Sequence, residues 1–361
     1  MVFQRSFKKI FFFGELPPRT IHGASISNLI NVEILKSNFS LDYVEEYSDL
    51  KHHKSFSFSK TIFFLGSLSK SWKLYSQFKY EFFYGVIYLS FGGILKNLLL
   101  TVVFKIFNPS SEIILHFHRS DIKFFLKCWY CNILFKILDK FVSKYIVLSN
   151  SQFEEISSLT TNKVFLLYNS IQENEFEFYS RPRNKTNKIR VIFFSNFLKE
   201  KGFFDLLKVF SILEARYPGC FLLDCYGEFG DIKNQYSLIS KFQSKNIFIH
   251  NSIYGPEKNN VLNSCDIIVL PSYNEGMPLI LLEALYLGKP IIISKVGYIN
   301  EALGEEYPLY CMAGDIDSIV KCFVDFKYNY SISDLGLNLK NMYSKFSLEQ
   351  HKETLFKIFN K

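Results

Sequence analysis

The sequence predicts an α/β protein built from two Rossmann-like, doubly wound parallel sheets. Three observations predict it. Apolar runs of strand length alternate with helix-length amphipathic segments, a pattern of parallel strands covered by helices on both faces. At 361 residues the chain is too long for one typical core. A polar stretch without periodicity, ending in Arg181-Pro-Arg-Asn-Lys-Thr-Asn-Lys188, interrupts the alternation near the middle. The expected organisation is an N-terminal domain over 1–172, a linker over 173–188 and a C-terminal domain over 189–345. A closing helix over 346–361 is expected to pack back towards the N-terminal domain.

Composition narrows the class. Hydrophobic residues make up 48% and charged residues 21%, which excludes a disordered chain. Residues 1–170 hold 20 Lys+Arg against 12 Asp+Glu, whereas residues 171–361 hold 22 of each. The whole net charge of +8 therefore belongs to the N-terminal half, which points to an anionic surface or partner there, or to an incidental surface surplus. No nucleic-acid partner is expected. Seven cysteines are irregularly spaced, and Cys128-Trp-Tyr-Cys131 has no second pair at zinc-ligand spacing. Buried thiols in a reducing cytoplasm are the expectation. The apolar core of Lys8–Gly14 is too short for a signal peptide. Phe83–Phe107 is long enough to span a bilayer, but Lys96, Asn97, Lys105 and Gly92-Gly93 make it a strand, a turn and a buried helix.

Taken in order, Lys8–Gly14 is a first buried strand. The loop Gly14-Glu-Leu-Pro-Pro18 and the small residues around Gly23 lead to a helix over Ile26–Leu35. A strand, a glycine-bearing loop and a helix start can cradle an anion. Short strands are expected at Thr61–Leu65 and Gly85–Leu89. Glu112–His118 is a strand whose period of two puts His116 and His118 on one face, near the edge where ligands gather. Arg119 and Asp121 follow. Asp121–Lys144 has helical length, with Lys136, Lys140 and Lys144 along one face. That stripe is either solvated or a membrane-surface contact. Tyr145–Ser149 and Val164–Tyr168 complete the strands of this half, the second ending at Asn169-Ser-Ile171.

The second half repeats the alternation. Strands are expected at Ile189–Phe194, Phe221–Tyr226, Ile247–Ile249, Asp266–Leu270 and Pro290–Ser294. Phe203–Arg216 is an amphipathic helix, and Phe346–Phe359 is a helix with Ser347 and Gln350 in capping-box spacing. Three strand ends carry chemistry. Ser195–Gly202 places Lys199 and Lys201 beside a glycine, where a lysine meets a diphosphate as a point charge. Gly227-Glu228 closes the next strand. Leu270–Ala284 reads LPSYNEGMPLILLEA, with Pro278 in the first turn of a helix. Glu275 then lies at the helix entrance and Glu283 about two turns inside. Helix amides for phosphate and carboxylates for hydroxyls together suit a nucleotide sugar. No D-x-D run is placed to hold a metal, and no cofactor is expected.

The segment Glu275-Gly-Met-Pro-Leu-Ile-Leu-Leu-Glu283-Ala, with Leu270-Pro-Ser272 before it and Gly288-Lys-Pro-Ile-Ile292 after it, resembles the E-x(7)-E region of glycosyltransferase family 4. Members of that family are retaining enzymes of the GT-B fold. Lys201-Gly202 is similar to the family's diphosphate lysine and Asn169-Ser-Ile171 to its interdomain N-G-I. Gly227-Glu228 fits its strand-end turn, His116-Phe-His118 its acceptor-side histidine, and Pro18–Ser25 its N-terminal glycine loop. The resemblance implies that Glu283 binds the ribose hydroxyls, and that Glu275 with the backbone of Gly276 and Met277 holds the donor sugar. It implies that Lys201 neutralises the departing diphosphate, His118 contacts the donor sugar near the reacting carbon, and Gly23 approaches phosphate or acceptor. His118, Glu275 and Lys201 are the implied catalytic set.

Two departures stand out. Ser195-Asn196-Phe197 replaces the family's G-R-L, so phosphate charge falls to Lys201, amides and Lys199, with Asn196 in the arginine's place. The glycine loop is His22-Gly23-Ala24 and not a double glycine. The implied function is transfer of a hexose from a UDP- or GDP-sugar to a glycan or lipid-linked acceptor in bacterial surface polysaccharide synthesis (O-antigen, capsule or exopolysaccharide). The implied location is the cytoplasm, peripheral on the inner face of the membrane. A nucleotide-sugar-binding protein without transfer activity and a GT-B-fold epimerase are the alternatives.

Overall fold

A computed structural model describes residues 8–46, 58–176, 188–229, 242 and 245–360. The chain divides into two compact units. One comprises Met1–Ser170 with Leu348–Lys361, the other Ile171–Ser347. The segment Glu173–Glu175 forms a 3-10 turn followed by the buried Phe176, and residues 177–187 of the expected linker lie outside the described residues.

The first unit is a six-stranded parallel sheet of β1 (Lys9–Gly14), β2 (Ser40–Glu45), β3 (Phe82–Ile87), β4 (Glu112–Phe117), β5 (Lys144–Val147) and β6 (Lys163–Leu166). Its spatial order is β2-β1-β3-β4-β5-β6. Both faces are covered, which is why β1 is apolar at every position from Ile10 to Phe13. Phe11 and Phe13 point into one core with Phe83, Leu115 and Tyr145. Ile10 and Phe12 point into the other with Tyr84, Ile114 and Ile146.

The helix Leu348–Asn360 belongs to this second core, where Leu355, Ile358 and Phe359 are fully buried. Lys144 ties it down: its ammonium donates to the Ile358 carbonyl at 2.8 Å, at the helix C-terminus where a cation is favoured, and pairs with Glu112 at 2.6 Å.

Three expectations for this unit change. Thr61–Leu65 lies within the helix Phe58–Gln77 and not in a strand. Its apolar residues serve two faces: Phe64, Leu68 and Tyr75 pack inward, while Leu65 and Trp72 stay exposed. Asp121–Lys144 is not one helix but two, Ile122–Leu126 and Trp129–Asp139, followed by a turn. Lys144 consequently opens β5 and is buried, so Lys136, Lys140 and Lys144 do not share one helix face. Of the two cysteines, Cys131 is buried and Cys128 is half-exposed. Phe83–Phe107 is the strand, turn and 17-residue helix Phe91–Phe107. No helix among the described residues is long and apolar enough to cross a membrane.

The second unit is also a six-stranded parallel sheet. Its strands are β7 (Ile189–Phe194), β8 (Phe221–Tyr226), β9 (Ile247–His250), β10 (Ile267–Leu270), β11 (Ile291–Ser294) and β12 (Tyr310–Cys311), ordered β12-β11-β10-β7-β8-β9. The chain runs outward from β7 in one direction and then returns to start again at β10. The switch point is therefore the β7/β10 pair, joined at Val191–Ile267 and Ile192–Ile268. In an open α/β sheet, the crevice beyond the strand C-termini at the switch point is the ligand site.

Candidate functional site

The loops leaving β7, β8, β10 and β11 are packed backbone against backbone, and glycines make this approach physically permissible. Gly202, at φ +71°, closes the β7 loop and opens the helix Phe203–Arg216. A Cβ there would sit 2.1 Å from the Pro271 carbonyl oxygen of the β10 loop. The Tyr273 amide also donates to the Glu200 carbonyl at 2.9 Å. On the far side Gly297, at φ +60°, lies so close that a Cβ would fall 1.8 Å from the Glu275 carbonyl oxygen, and the Tyr298 amide donates to the Gly276 carbonyl at 3.3 Å. Gly227 backs onto the Ser195 carbonyl in the same way, with a Cβ position 2.1 Å away. These four loops form one platform along the sheet's C-terminal edge.

Two lysine–glutamate pairs occupy it. Lys201, from the β7 loop, donates to Glu275 Oε1 at 2.8 Å, and the Ser272 hydroxyl donates to the same oxygen at 2.7 Å. The carboxylate is buried, while the lysine is 29% exposed and open to a further anionic partner. The second pair uses Lys258, from the helix Gly255–Ser264, which donates to Glu283 Oε1 at 2.6 Å. Glu283 sits within the nine-residue helix Leu279–Leu287, where its side chain is buried. Its other oxygen, Oε2, is buried without a hydrogen-bond partner. A buried carboxylate oxygen without a donor is costly, and a ligand hydroxyl would satisfy it. Pro278 stands at the N-cap of this helix, one residue before its first turn, and no side chain caps the helix start. The amides of Leu279 and Ile280 are thus available to an anion, while that of Leu281 donates to the Pro278 carbonyl at 3.0 Å.

The remaining second-unit residues line up around this platform. Met277 is buried, and Gly276 supplies the carbonyl bonded by Tyr298. Glu228 is exposed at the end of β8, and its carbonyl accepts from the Phe197 amide at 2.8 Å. Asn196 is half-buried in the β7 loop, its carbonyl accepting from Leu198. The structure thus brings Lys201 and Glu275 into contact, whereas Glu275 and Glu283 each hold a separate lysine. Lys258 and Ser272 were not picked out from sequence. Lys258 is one lysine in a polar helix and carries no local signal; Ser272 stands in the LPS stretch beside Glu275.

Gly23 and His118 belong to the first unit. Gly23 is the exposed first residue of the helix Gly23–Lys36, and a Cβ there would meet nothing within 4 Å. His22 caps this helix in a capping box with Ser25 and pairs with Glu15 at 2.6 Å. His118 contacts the Asn28 side-chain oxygen through Nε2 at 2.9 Å, and Asn28 is itself oriented by donating to the Glu15 carbonyl. An acceptor at Nε2 makes that nitrogen the protonated one. Nδ1 is left as a buried lone pair without a partner. Burial, then the neighbouring His22, lowers the His118 pKa to about 4, so the ring is neutral near pH 7. His116 lies 4.2 Å away, centroid to centroid, on the same face. It joins a buried chain of contacts to Tyr84, Asn31 and, from the C-terminal helix, His351.

Two six-stranded parallel sheets of this kind, each with helices, constitute the GT-B architecture. Residues 175–325 match the model of the family described as glycosyl transferases group 1. Among curated relatives, the chain is 28% identical over 118 residues to a putative teichuronic acid biosynthesis glycosyltransferase of Bacillus subtilis. That match spans 33% of this chain and 28% of the relative. Among solved structures, sucrose-phosphate synthase from Thermosynechococcus elongatus superposes with a TM-score of 0.79 at 14% identity, over 98% of both chains. Anabaena HepE in complex with UDP-glucose gives a TM-score of 0.72 at 12% identity, over 98% of this chain and 99% of that one. At such identities the structural likeness establishes the fold.

Proposed function

We propose that this protein is a retaining glycosyltransferase that moves a hexose from a UDP- or GDP-sugar to a glycan or lipid-linked acceptor in bacterial surface polysaccharide synthesis. One observation carries the reading. Lys201 and Glu275, 74 residues apart in sequence, meet at 2.8 Å beyond the switch point of the second sheet. A cation and a carboxylate held there serve the two halves of a nucleotide-sugar donor. The group 1 match over 175–325 and the name of the Bacillus relative support glycosyl transfer, and the UDP-glucose bound by HepE supports the donor class.

In this reading Glu283 Oε2 accepts a ribose hydroxyl, while Lys258 holds Oε1 and keeps the carboxylate fixed. Glu275, steadied by Ser272, accepts hydroxyls of the donor sugar. Lys201 turns its ammonium to the diphosphate, whose negative charge grows as the glycosidic bond breaks. Stabilising that charge is the main electrostatic demand of the reaction. Lys201 and the uncapped amides of the helix Leu279–Leu287 meet it without a metal. His118 offers its Nδ1 lone pair to a hydroxyl near the reacting carbon. The acceptor attacks on the face that the diphosphate leaves, and a departing phosphate oxygen takes the acceptor's proton, which retains the anomeric configuration. The protein works in the cytoplasm, at the inner face of the membrane.

A thermal-shift panel of UDP-, GDP- and ADP-sugars tests the donor assignment, because a ligand bound only by the native state raises stability by mass action. A UDP- or GDP-sugar is expected to stabilise the wild type and not Glu283→Ala. Stabilisation by none of them, or equal stabilisation of both proteins, would overturn it.

A further inference from the structure

The helices covering one face of the first sheet are apolar on both their buried and their exposed sides. In the helix Trp129–Asp139 the buried face is Cys131, Phe135 and Leu138. Trp129, Tyr130, Ile133 and Ile137 follow at helical spacing on the exposed side, with Trp129 72% exposed. The neighbouring helix Phe91–Phe107 repeats the arrangement. Ile94, Leu100 and Phe104 are buried, while Phe91, Leu95, Leu99 and Ile106 form an exposed row at intervals of four, four and seven. In the helix Phe58–Gln77 the exposed row is Ile62, Leu65 and Trp72. Ring contacts tie the three helices together: Phe91 meets Tyr130 at 5.4 Å, and Trp72 meets the half-buried Phe107, next to Ile106, at 4.9 Å. Phe124, 75% exposed, extends it from the short helix Ile122–Leu126.

Charge selects the occupant. Across these four helices the sequence has seven lysines and a single acid, Asp139. That carboxylate is occupied, accepting from Tyr145, Thr160 and Asn162. Lys136 and Lys140 stand exposed beside Ile133 and Ile137, and Lys123 and Lys127 flank Phe124. The net charge of residues 1–170 is +8, from 20 basic against 12 acidic residues. Lys96 is half-buried and paired with Glu46, and the other six lysines far outnumber the one acid. A large apolar patch marks a docking surface, and aromatic rings set among an excess of lysines match an anionic lipid interface. A second copy of the chain would press two such lysine-bearing faces together, which like-charge repulsion opposes.

We infer that this three-helix face docks the protein on an anionic membrane, with the aromatic and aliphatic rows entering the interface and Lys136 and Lys140 meeting lipid phosphates. The inference rests on the proposed function only for why a membrane would be visited; binding itself is measured without donor or acceptor.

Co-sedimentation with vesicles of phosphatidylcholine alone, and of phosphatidylcholine mixed with phosphatidylglycerol, tests it on the full chain. The wild type is expected to pellet with the mixed vesicles, in a salt-sensitive manner, and to remain in solution with phosphatidylcholine alone. Phe91→Ser/Trp129→Ser/Ile133→Ser is expected to abolish pelleting. Lys136→Gln/Lys140→Gln is expected to weaken it about thirty-fold, roughly five-fold per lysine. Both variants change exposed positions and keep the wild-type melting temperature and any donor-induced stabilisation, so failure here is distinct from failure of the donor site. No pelleting of the wild type, equal pelleting of wild type and variants, or a dimer that the aromatic variant dissociates would each overturn the inference.

Discussion

Replacing Lys258 by Met probes the donor site from a residue that no sequence motif marks. Glu283 has one oxygen bonded by Lys258 at 2.6 Å and the other without a partner, and both side chains are largely buried. Removing the lysine leaves a buried carboxylate with no cation, a change that costs about 3–5 kcal/mol in buried pairs. Lys258 keeps 15% exposure, and water entering there argues for the lower end, about 3 kcal/mol. For a unit of about 180 residues this corresponds to a fall in Tm of roughly 6–12 °C. Donor affinity should fall with it, because the carboxylate loses the bond that orients Oε2. A hydrogen bond to a charged group contributes roughly 1.5–3 kcal/mol, or about ten- to a hundred-fold in Kd. The assays are thermal unfolding and calorimetric titration of the nucleotide sugar. Lys258→Met/Glu283→Gln, which removes both charges, should recover most of the stability and none of the affinity. A single variant that melts within 1 °C of the wild type would refute the reasoning, since the pair would then not be a buried one.

Other expectations follow from the same geometry. Gly297→Ala puts a side chain at φ +60° against the Glu275 carbonyl. It should shift the Glu275 loop and weaken donor binding more than ten-fold, at a backbone cost of about 1–2 kcal/mol; an unchanged Kd would remove Gly297 from the platform. Phe359→Ala should destabilise the first unit by about 3–5 kcal/mol, measured by urea unfolding, and a near-neutral result would mean the C-terminal helix does not complete that core. His118 and His351 are both lowered to about 4, by burial first. The unfolded chain therefore binds protons from about pH 6.5 downward that the folded chain refuses until about pH 4. Stability should be fully present above pH 6.5 and fall below it by up to about 1.4 kcal/mol per pH unit for each ring. Denaturant unfolding at a series of pH values should show a flatter profile for His351→Gln; the same slope in both proteins would contradict the assignment.

Much of the second sheet was legible in the sequence because its strands are short, mostly apolar runs, three of them flanked directly by glycine or proline at Gly227, Pro271 and Pro290. Ile189–Phe194, Phe203–Arg216 and Phe221–Tyr226 fall at the bounds that periodicity gives. Lys201 and Glu275 were legible as separate groups at strand ends, but their direct contact spans 74 positions and has no local signal. The first sheet was harder to read for a physical reason. Helices that are apolar on two sides lose the one-sided periodicity that distinguishes helix from strand, which is why Thr61–Leu65 reads locally as a strand. The spacing of Lys136, Lys140 and Lys144 is helical only if the helix continues. No glycine or proline marks its end at Asp139, so the burial of Lys144 in β5 was invisible. Lys258 and the His351–Asn31–Tyr84–His116 chain depend on tertiary contacts across up to 320 positions, and no local pattern encodes them.

The most direct test of the central claim is transfer itself, followed by NMR at the anomeric centre. Purified protein is supplied with a UDP- or GDP-hexose that stabilises it and with a lipid-linked saccharide acceptor. The account predicts release of the nucleoside diphosphate matched by a lengthened acceptor whose new linkage keeps the donor's anomeric configuration, with Lys201→Ala and Glu275→Ala folded but inactive. An inverted linkage, an epimerised sugar formed without acceptor, or full activity in both variants would contradict it.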